Sequence, residues 1–286
     1  MAEPAFAVAA DDDLLARYRR DGFVVIPGLF GKPMRQRVLA DIVETFRLRA
    51  EDLGLDLPAG LEHEMFSDLV AGLFGRDIPA YVAAAKLSQH LASVHRMGLS
   101  PELMAVVEAL GLALPSISTR PVIHYMADRL KIPGGYQKTP PHQDWRSVQG
   151  SLDGITVWTP LYDVGLDDYP LEIVPGSHLR GLLDSVPDMP NYRVPGDLYS
   201  EADFRPLQLK AGDAVVFSAF LLHRTGEAGR ERVRVSLSFR FNNVAEPHFV
   251  RRNYPNPYLY RPDPAIVTPG FPSPEDLAEV FPEVGE

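Results

Sequence analysis

The spacing of hydrophobic residues changes rhythm near Pro115. Upstream, apolar residues recur three and four positions apart, as on one face of a helix. Val38, Leu39, Ile42, Val43 and Phe46 form such a stripe and predict a helix from about Met34 to Glu51. Asp11-Asp12-Asp13 followed by Arg17, Arg19 and Arg20 puts acids at the start and bases at the end of a helix predicted over 14–20, the order a helix dipole favours. Further helices are predicted over Ser67–Phe74, Ile78–Val94 and Pro101–Leu110. The last has Ser100 as N-cap, Pro101 in the first turn and Gly111 as its stop. Phe23-Val24-Val25-Ile26 is rich in β-branched residues and ends at Pro27-Gly28, so it predicts a short strand. The Met and Leu positions of residues 65–110 read as packing stripe, not as a cofactor-binding motif.

Downstream the rhythm becomes two-residue alternation and short apolar runs. Strands are predicted at Ile117–Met126, Gly154–Asp163, Leu171–Val174, Leu207–Leu209, Ala214–Ala219 and Val233–Phe241. Turn signals separate them: Pro133-Gly134-Gly135, Asp167-Asp168-Tyr169-Pro170, Pro175-Gly176-Ser177 and Ala211-Gly212-Asp213. Many short strands without alternating helices indicate an antiparallel sandwich, not a doubly wound sheet. The expected fold is mainly β with α, a double-stranded β-helix (jelly-roll, cupin-like) core with flanking helices. A single domain is expected over residues 1–286, with 12–113 as a strand and helical region packed on the barrel, 116–245 as the jelly-roll core and 246–286 as a C-terminal extension. The Pro- and Tyr-rich extension (Tyr254, Tyr258, Tyr260) is expected to lie over the barrel, since so much aromatic surface is costly to leave in water.

Composition narrows the function. The 286 residues carry a formal net charge of −10, which argues against a nucleic-acid partner. Cys is absent, excluding disulfides, Cys-ligated zinc and iron–sulfur clusters. No apolar run approaches membrane-spanning length, and the N-terminus lacks the pattern of a secretory signal, so a cytoplasmic protein is expected.

The candidate chemistry centres on Pro141-His142-Gln143-Asp144-Trp145. On extended chain, residues two apart project to one face, so His142 and Asp144 can converge. Alone, that pair is most simply a strand-edge His and a surface Asp. His223, at the end of the apolar run 213–222, adds a third ligand. Two His and one carboxylate form the facial triad that holds non-heme Fe(II) with three positions left open. Arg234 follows in a run whose alternation sets Arg232, Arg234, Ser236 and Ser238 on one face. That face would serve as a solvent-facing row, or Arg234 would anchor the distal carboxylate of 2-oxoglutarate with its bidentate fork.

In order and spacing these motifs resemble the phytanoyl-CoA dioxygenase family over most of residues 12–245. The resemblance rests on Tyr18 to Gly28, the His142-Gln143-Asp144 motif, Thr156-Val157-Trp158, the turn Pro175-Gly176-Ser177-His178, and Ala211-Gly212-Asp213 before His223 and Arg234-Val235-Ser236. It implies His142, Asp144 and His223 as ligands of Fe(II), with 2-oxoglutarate as cosubstrate. Arg234 would bind its C5 carboxylate with help from Ser236, Thr156 and Trp158 would line its pocket, and Tyr125 would offer a hydrogen bond. Trp158 is equally readable as plain core. His178 would be structural, and His124 and His248 ordinary satisfied histidines. An acid at position 144 favours oxygen transfer over halogenation. The implied reaction is hydroxylation of a small metabolite by dioxygen, with release of succinate and CO2. Desaturation, epimerisation and ring closure are open outcomes, and the substrate is not readable. Arg129, Lys131, Lys138, Arg146, Arg180 and Arg224 are expected near the barrel mouth, where they would favour an anionic substrate or be solvated surface charges. The alternative is a cupin-like metal- or small-molecule-binding protein without oxidative activity.

Overall fold

The structure, a computed structural model, describes residues 12–131, 138–188 and 191–256. In chain order the elements are α1 (Asp12–Asp21), β1 (Phe23–Ile26), α2 (Lys32–Asp52), α3 (His63–Arg76), α4 (Ile78–Ser88), α5 (Ala92–Gly98), α6 (Pro101–Ala109) and β2 (Pro115–Met126). They continue as α7 (Trp145–Val148), β3 (Ile155–Pro160), β4 (Leu171–Ile173), β5 (Val186–Asp188), β6 (Asn191–Arg193), β7 (Arg205–Pro206), β8 (Ala214–Ser218), β9 (His223–Thr225), β10 (Arg234–Asn243) and α8 (Pro247–Arg251).

A five-stranded antiparallel sheet runs in the order β1-β8-β3-β10-β2, and a smaller one in the order β7-β4-β9. The large sheet is buried on both faces at its centre, where every residue of β3 and β8 is buried, so neither shows a clean alternation of buried and exposed positions. Val157, Val216, Val235 and Leu237 point to one side and pack against Leu39, Ile42, Phe46 and Met97 of the helices. Trp158, Val215 and Phe217 point to the other and meet Leu171 and Ile173 of the small sheet. Each fully buried side chain of this kind contributes on the order of 1.5–3 kcal/mol. Helices on one side and a second sheet on the other make the expected jelly-roll with flanking helices.

Two glycines permit the closest approaches. A Cβ on Gly98 would stand 2.5 Å from the Phe239 ring, so α5 can lie on β10 only without one. Gly22 has φ 80° and lies where a Cβ would meet His178 Nδ1 at 2.4 Å. There the His178 Nε2 bonds the Arg19 carbonyl at 3.0 Å, tying α1 to the Pro-Gly-Ser-His turn. The structural reading of His178 is what the contacts support.

The helix expected over Ile78–Val94 is two helices. Ser88 Oγ and Gln89 Nε2 both donate to the Ala85 carbonyl (2.8 and 3.3 Å), and such side-chain competition for the backbone ends α4. The strand expected at Leu207–Leu209 is reduced to a bridge between Val164 and Leu209, with pairing instead at β7. The β5–β6 hairpin, three-residue β9, and the short helices α7 and α8 escaped periodicity because none spans two full repeats. Of the C-terminal extension, Pro247–Arg251 is helical, and the reading of residues 257–286 lies outside the described residues.

Candidate metal centre

His142 and His223 face one another as an isolated antiparallel bridge, each donating its N–H to the other's carbonyl (3.0 and 3.1 Å). β9 is therefore held by β4 on one edge and by His142 on the other. The imidazole centroids lie 4.1 Å apart. Asp144 does not extend the strand as expected: its φ of −61° and ψ of −34° begin α7, and Val148 and Ser147 donate to its carbonyl. The turn delivers its carboxylate to the same point, with Oδ1 3.4 Å from His142 Nε2 and 4.0 Å from His223 Nε2. The three donor atoms lie within 4.8 Å of one another.

Each of these three side chains is oriented from behind. His142 Nδ1 meets the Pro140 carbonyl at 2.8 Å and His223 Nδ1 the Leu221 carbonyl at 2.9 Å. With each Nδ1 as the protonated nitrogen, each Nε2 lone pair faces Asp144. Thr156 Oγ1 donates to Asp144 Oδ2 at 2.6 Å. Arg240 closes on the same carboxylate through Nε to Oδ2 (3.0 Å) and Nη2 to Oδ1 (3.2 Å). Burial works to raise the Asp144 pKa, but Arg240, the His142 hydrogen bond and the His223 charge hold it well below the usual carboxylate range. Burial, then the neighbouring His142, push His223 down to about 3, so its imidazole is neutral at physiological pH. Two imidazoles presenting Nε2 and one ionised carboxylate form a donor set suited to a divalent first-row metal.

Gln143, between the two ligands, points away and acts as a staple. Its Nε2 donates to the carbonyls of Gly181 (2.8 Å) and Phe220 (2.6 Å), and its Oε1 accepts from Leu183 N (2.8 Å). These bonds connect the loops that carry the site.

The ligands line a cavity of about 390 Å³ between the two sheets. Thr156 and Trp158 both line this cavity, and Trp158 also packs in the inter-sheet core. Arg234 is 5% exposed and lines the same cavity. Its guanidinium donates to the Tyr169 carbonyl and to Met126 Sδ (2.7 Å) and lies 5.5 Å from the Trp158 ring centroid. Its Nε has no hydrogen-bond partner and none of its nitrogens has a carboxylate partner among the described residues. Burial brings its pKa down to about 9. Ser236 is fully buried with Oγ likewise without a partner, but it is not among the residues lining the cavity.

Tyr125 does not face the cavity. Its ring packs on Phe46 and Phe66 in the helical layer, and its hydroxyl is 2.7 Å from Ser88 Oγ. The residue on the cavity side of β2 is its neighbour His124, paired across the sheet with Ser236, and burial followed by the Arg234 and Arg240 charges brings its pKa to about 3. Sequence reasoning set His124 aside and did not single out Arg240. Of the six cations expected at the mouth, Arg224 alone lines this cavity, and it is paired with Glu172 and Glu201 at 2.6 Å each. Arg129 pairs with Asp68, Lys131 with Asp128 and Lys138 with Glu227, so these are surface ion pairs. Arg146 and Arg180 are bonded to backbone carbonyls. Arg120, which drew no notice in the sequence, lines the cavity, is exposed and has no ion-pair partner among the described residues.

No helix among the described residues is long and apolar enough to cross a membrane. A mouse protein, phytanoyl-CoA dioxygenase domain-containing protein 1, is 24% identical over 178 residues, and the chain spans about 58% of that relative's length. Among solved structures, the epimerase SnoN in complex with Fe3+, alpha ketoglutarate and nogalamycin RO matches with a TM-score of 0.57 at 20% identity, over 89% of this chain and 93% of that one. EctD from S. alaskensis with 2-oxoglutarate and 5-hydroxyectoine matches with a TM-score of 0.51 at 17% identity, over 85% and 80%. These likenesses establish the fold. A family model for phytanoyl-CoA dioxygenase matches residues 18–234, a span that contains His142, Asp144, His223 and Arg234, and the chain belongs to the phytanoyl-CoA dioxygenase family.

Proposed function

We propose that this chain is an Fe(II)- and 2-oxoglutarate-dependent oxygenase that hydroxylates a small anionic metabolite, with His142, Asp144 and His223 as the metal ligands. The observation that carries the reading is Arg234. A buried guanidinium without a carboxylate partner costs several kcal/mol unless something pairs with it. Here it shares a cavity with a triad suited to a metal chelated by an α-keto acid. The C5 carboxylate of 2-oxoglutarate would supply the missing partner, and the orphaned Nε of Arg234 is a donor available to it. Bound at the triad, Fe(II) with 2-oxoglutarate supplies oxidative decarboxylation to succinate and CO2, with one oxygen atom of dioxygen directed to the substrate.

The remaining roles belong to the protein. His142 and His223 present Nε2 to the metal point, because each Nδ1 is engaged by a backbone carbonyl that fixes the ring's orientation. Trp158 walls the cosubstrate space and stacks against the Arg234 guanidinium. His124 takes the position expected for Tyr125: neutral and facing the cavity, it can exchange one hydrogen bond with the cosubstrate. Arg120, the cavity-lining cation without a counter-charge, favours an anionic substrate. The neighbours bear on the outcome, since one is an epimerase and the other is bound to a hydroxylated compound.

The test is anaerobic titration of the metal-free protein with Fe(II) and 2-oxoglutarate. The expected result is the weak visible charge-transfer band of the chelate, lost in His223→Ala and requiring far more cosubstrate in Arg234→Ala. Metal binding with no band and no succinate formation would instead support a cupin-like metalloprotein. Succinate release from a panel of anionic and neutral metabolites then addresses the substrate.

A further inference from the structure

Asp144 is the one ligand whose two oxygens differ in their surroundings. Oδ1 looks toward both histidines, whereas Oδ2 is filled from behind by Thr156 Oγ1 at 2.6 Å and Arg240 Nε at 3.0 Å. Arg240 also bridges to Oδ1 through Nη2 at 3.2 Å, so the carboxylate lies flat in a guanidinium fork. The fork is built into the sheet. Arg240 of β10 and Thr156 of β3 are directly paired across the strands, hence on one face, beneath the turn that carries Asp144. On the other side of β10, the register with β2 shifts between Ser238 and Arg240 and again between Arg240 and Phe241, which sets Thr119 opposite Arg240.

A carboxylate free to rotate can bind a metal through one oxygen or two. Two-oxygen binding would consume one of the three positions that a facial triad leaves open. With Oδ2 already accepting two charge-assisted or short hydrogen bonds, from Thr156 and Arg240, rotation toward the metal would break both. We propose that Arg240, supported by Thr156, is a positioning residue that restricts Asp144 to one-oxygen ligation through Oδ1 and so keeps an open coordination position at the metal. The inference rests on the metal-site reading above. It assigns to Arg240 a different task from that of Arg234, six residues earlier on the same strand, whose guanidinium has no carboxylate partner among the described residues.

The experiment uses Co(II), whose visible spectrum reports coordination number, in the full chain and in Arg240→Met, Arg240→Lys and Thr156→Val. The wild type is expected to give a defined spectrum and tight binding. Arg240→Met should weaken Co(II) affinity 10- to 100-fold, the usual effect of losing a partner behind a ligand, and should change the band shape and intensity. Arg240→Lys, which keeps the charge and one donor, should recover part of the affinity but not the wild-type spectrum. Thr156→Val, near-isosteric at a buried strand position, should show a smaller shift in the same direction. The proposal is overturned if Arg240→Met binds Co(II) within twofold of wild type with an unchanged spectrum. Should Arg240→Met fail to fold by circular dichroism, Thr156→Val decides, and wild-type affinity and spectrum there would equally overturn it. Absence of Co(II) binding in the wild type would sink the metal-site reading itself, a distinguishable result.

Discussion

Replacing Arg234 by Met should make the metal-free protein more stable while nearly abolishing cosubstrate binding. Met approximates the length of the side chain but removes the charge. Arg234 is 5% exposed, and burial brings its pKa from the usual guanidinium range down to about 9. Each tenfold change in proton affinity is worth about 1.4 kcal/mol, so the cost of holding the charge in the fold has a ceiling of about 5 kcal/mol. Because the ordinary guanidinium value and the lowered value of about 9 both lie above neutral pH, Arg234 is charged in folded and unfolded chains alike at pH 7, and the whole cost is present there. Against it stand the hydrogen bond to the Tyr169 carbonyl, about 1 kcal/mol, and the contact with Trp158, about 0.5–2 kcal/mol. The net expectation is a gain of about 1–3 kcal/mol, or several degrees in Tm for a chain of this size. Cosubstrate binding should move the opposite way. Truncating one partner of a buried charge pair costs about 2–5 kcal/mol, so the Kd for 2-oxoglutarate should rise roughly 30- to several-thousand-fold. Thermal melts of the metal-free proteins, and calorimetric titration of 2-oxoglutarate into the Mn(II)-loaded proteins under argon, measure the two halves. A variant that melts below wild type and binds 2-oxoglutarate within threefold of it would refute the argument that Arg234 is a strained charge awaiting a carboxylate.

His124 and His223 are held neutral in the fold, with pKa values pushed from 6.5 to about 3, whereas the unfolded chain takes up protons below 6.5. The stability of the metal-free protein should therefore be fully present above pH 6.5 and fall toward pH 3, by up to roughly 1.4 kcal/mol per pH unit for each group. Denaturant midpoints at pH 7, 6 and 5 test this, and a flat profile would contradict it. Tyr125→Phe should cost only the Ser88 hydrogen bond, about 1 kcal/mol, and leave the KM for 2-oxoglutarate unchanged, while His124→Ala should raise that KM; the reverse pattern in steady-state succinate assays would restore Tyr125 to the site. Gln143→Ala strands the Gly181 and Phe220 carbonyls and the Leu183 amide, and should lower stability by about 2–4 kcal/mol in urea titrations. A loss below 0.5 kcal/mol would mean that water replaces the staple.

What could be read from the sequence, and what could not, divides by how far apart the interacting residues lie in the chain. The long helices and strands are local periodicities, and apart from the helix that divides near Ser88 they stand within a few residues of their expected ends. The triad was legible because two ligands are two residues apart and the third closes a distinctive apolar run. Its geometry was less so: the Asp144 carboxylate meets the two imidazoles through a helical turn, not along extended chain. The Tyr125 error is one of parity. Along β2 the register with β10 slips twice, near Ser118 and near Arg120-Pro121, and each slip moves the side chains beyond it to the opposite face. Pro121 was the available sign, since a proline within a paired strand marks a bulge or an edge. With both faces of the sheet buried, hydrophobicity could not show which residues met the helices and which met the cavity. Arg240 illustrates the deeper limit. Arg232, Arg234 and Arg240 look alike in a run of alternating cations, yet one is exposed, one is buried without a carboxylate partner and one grips the ligand carboxylate. Only Thr156 and Asp144, 84 and 96 residues away in number, distinguish them. A cation's role in this fold is set by the acid it meets across the sheet, and that pairing depends on strand register, which short-range spacing does not encode.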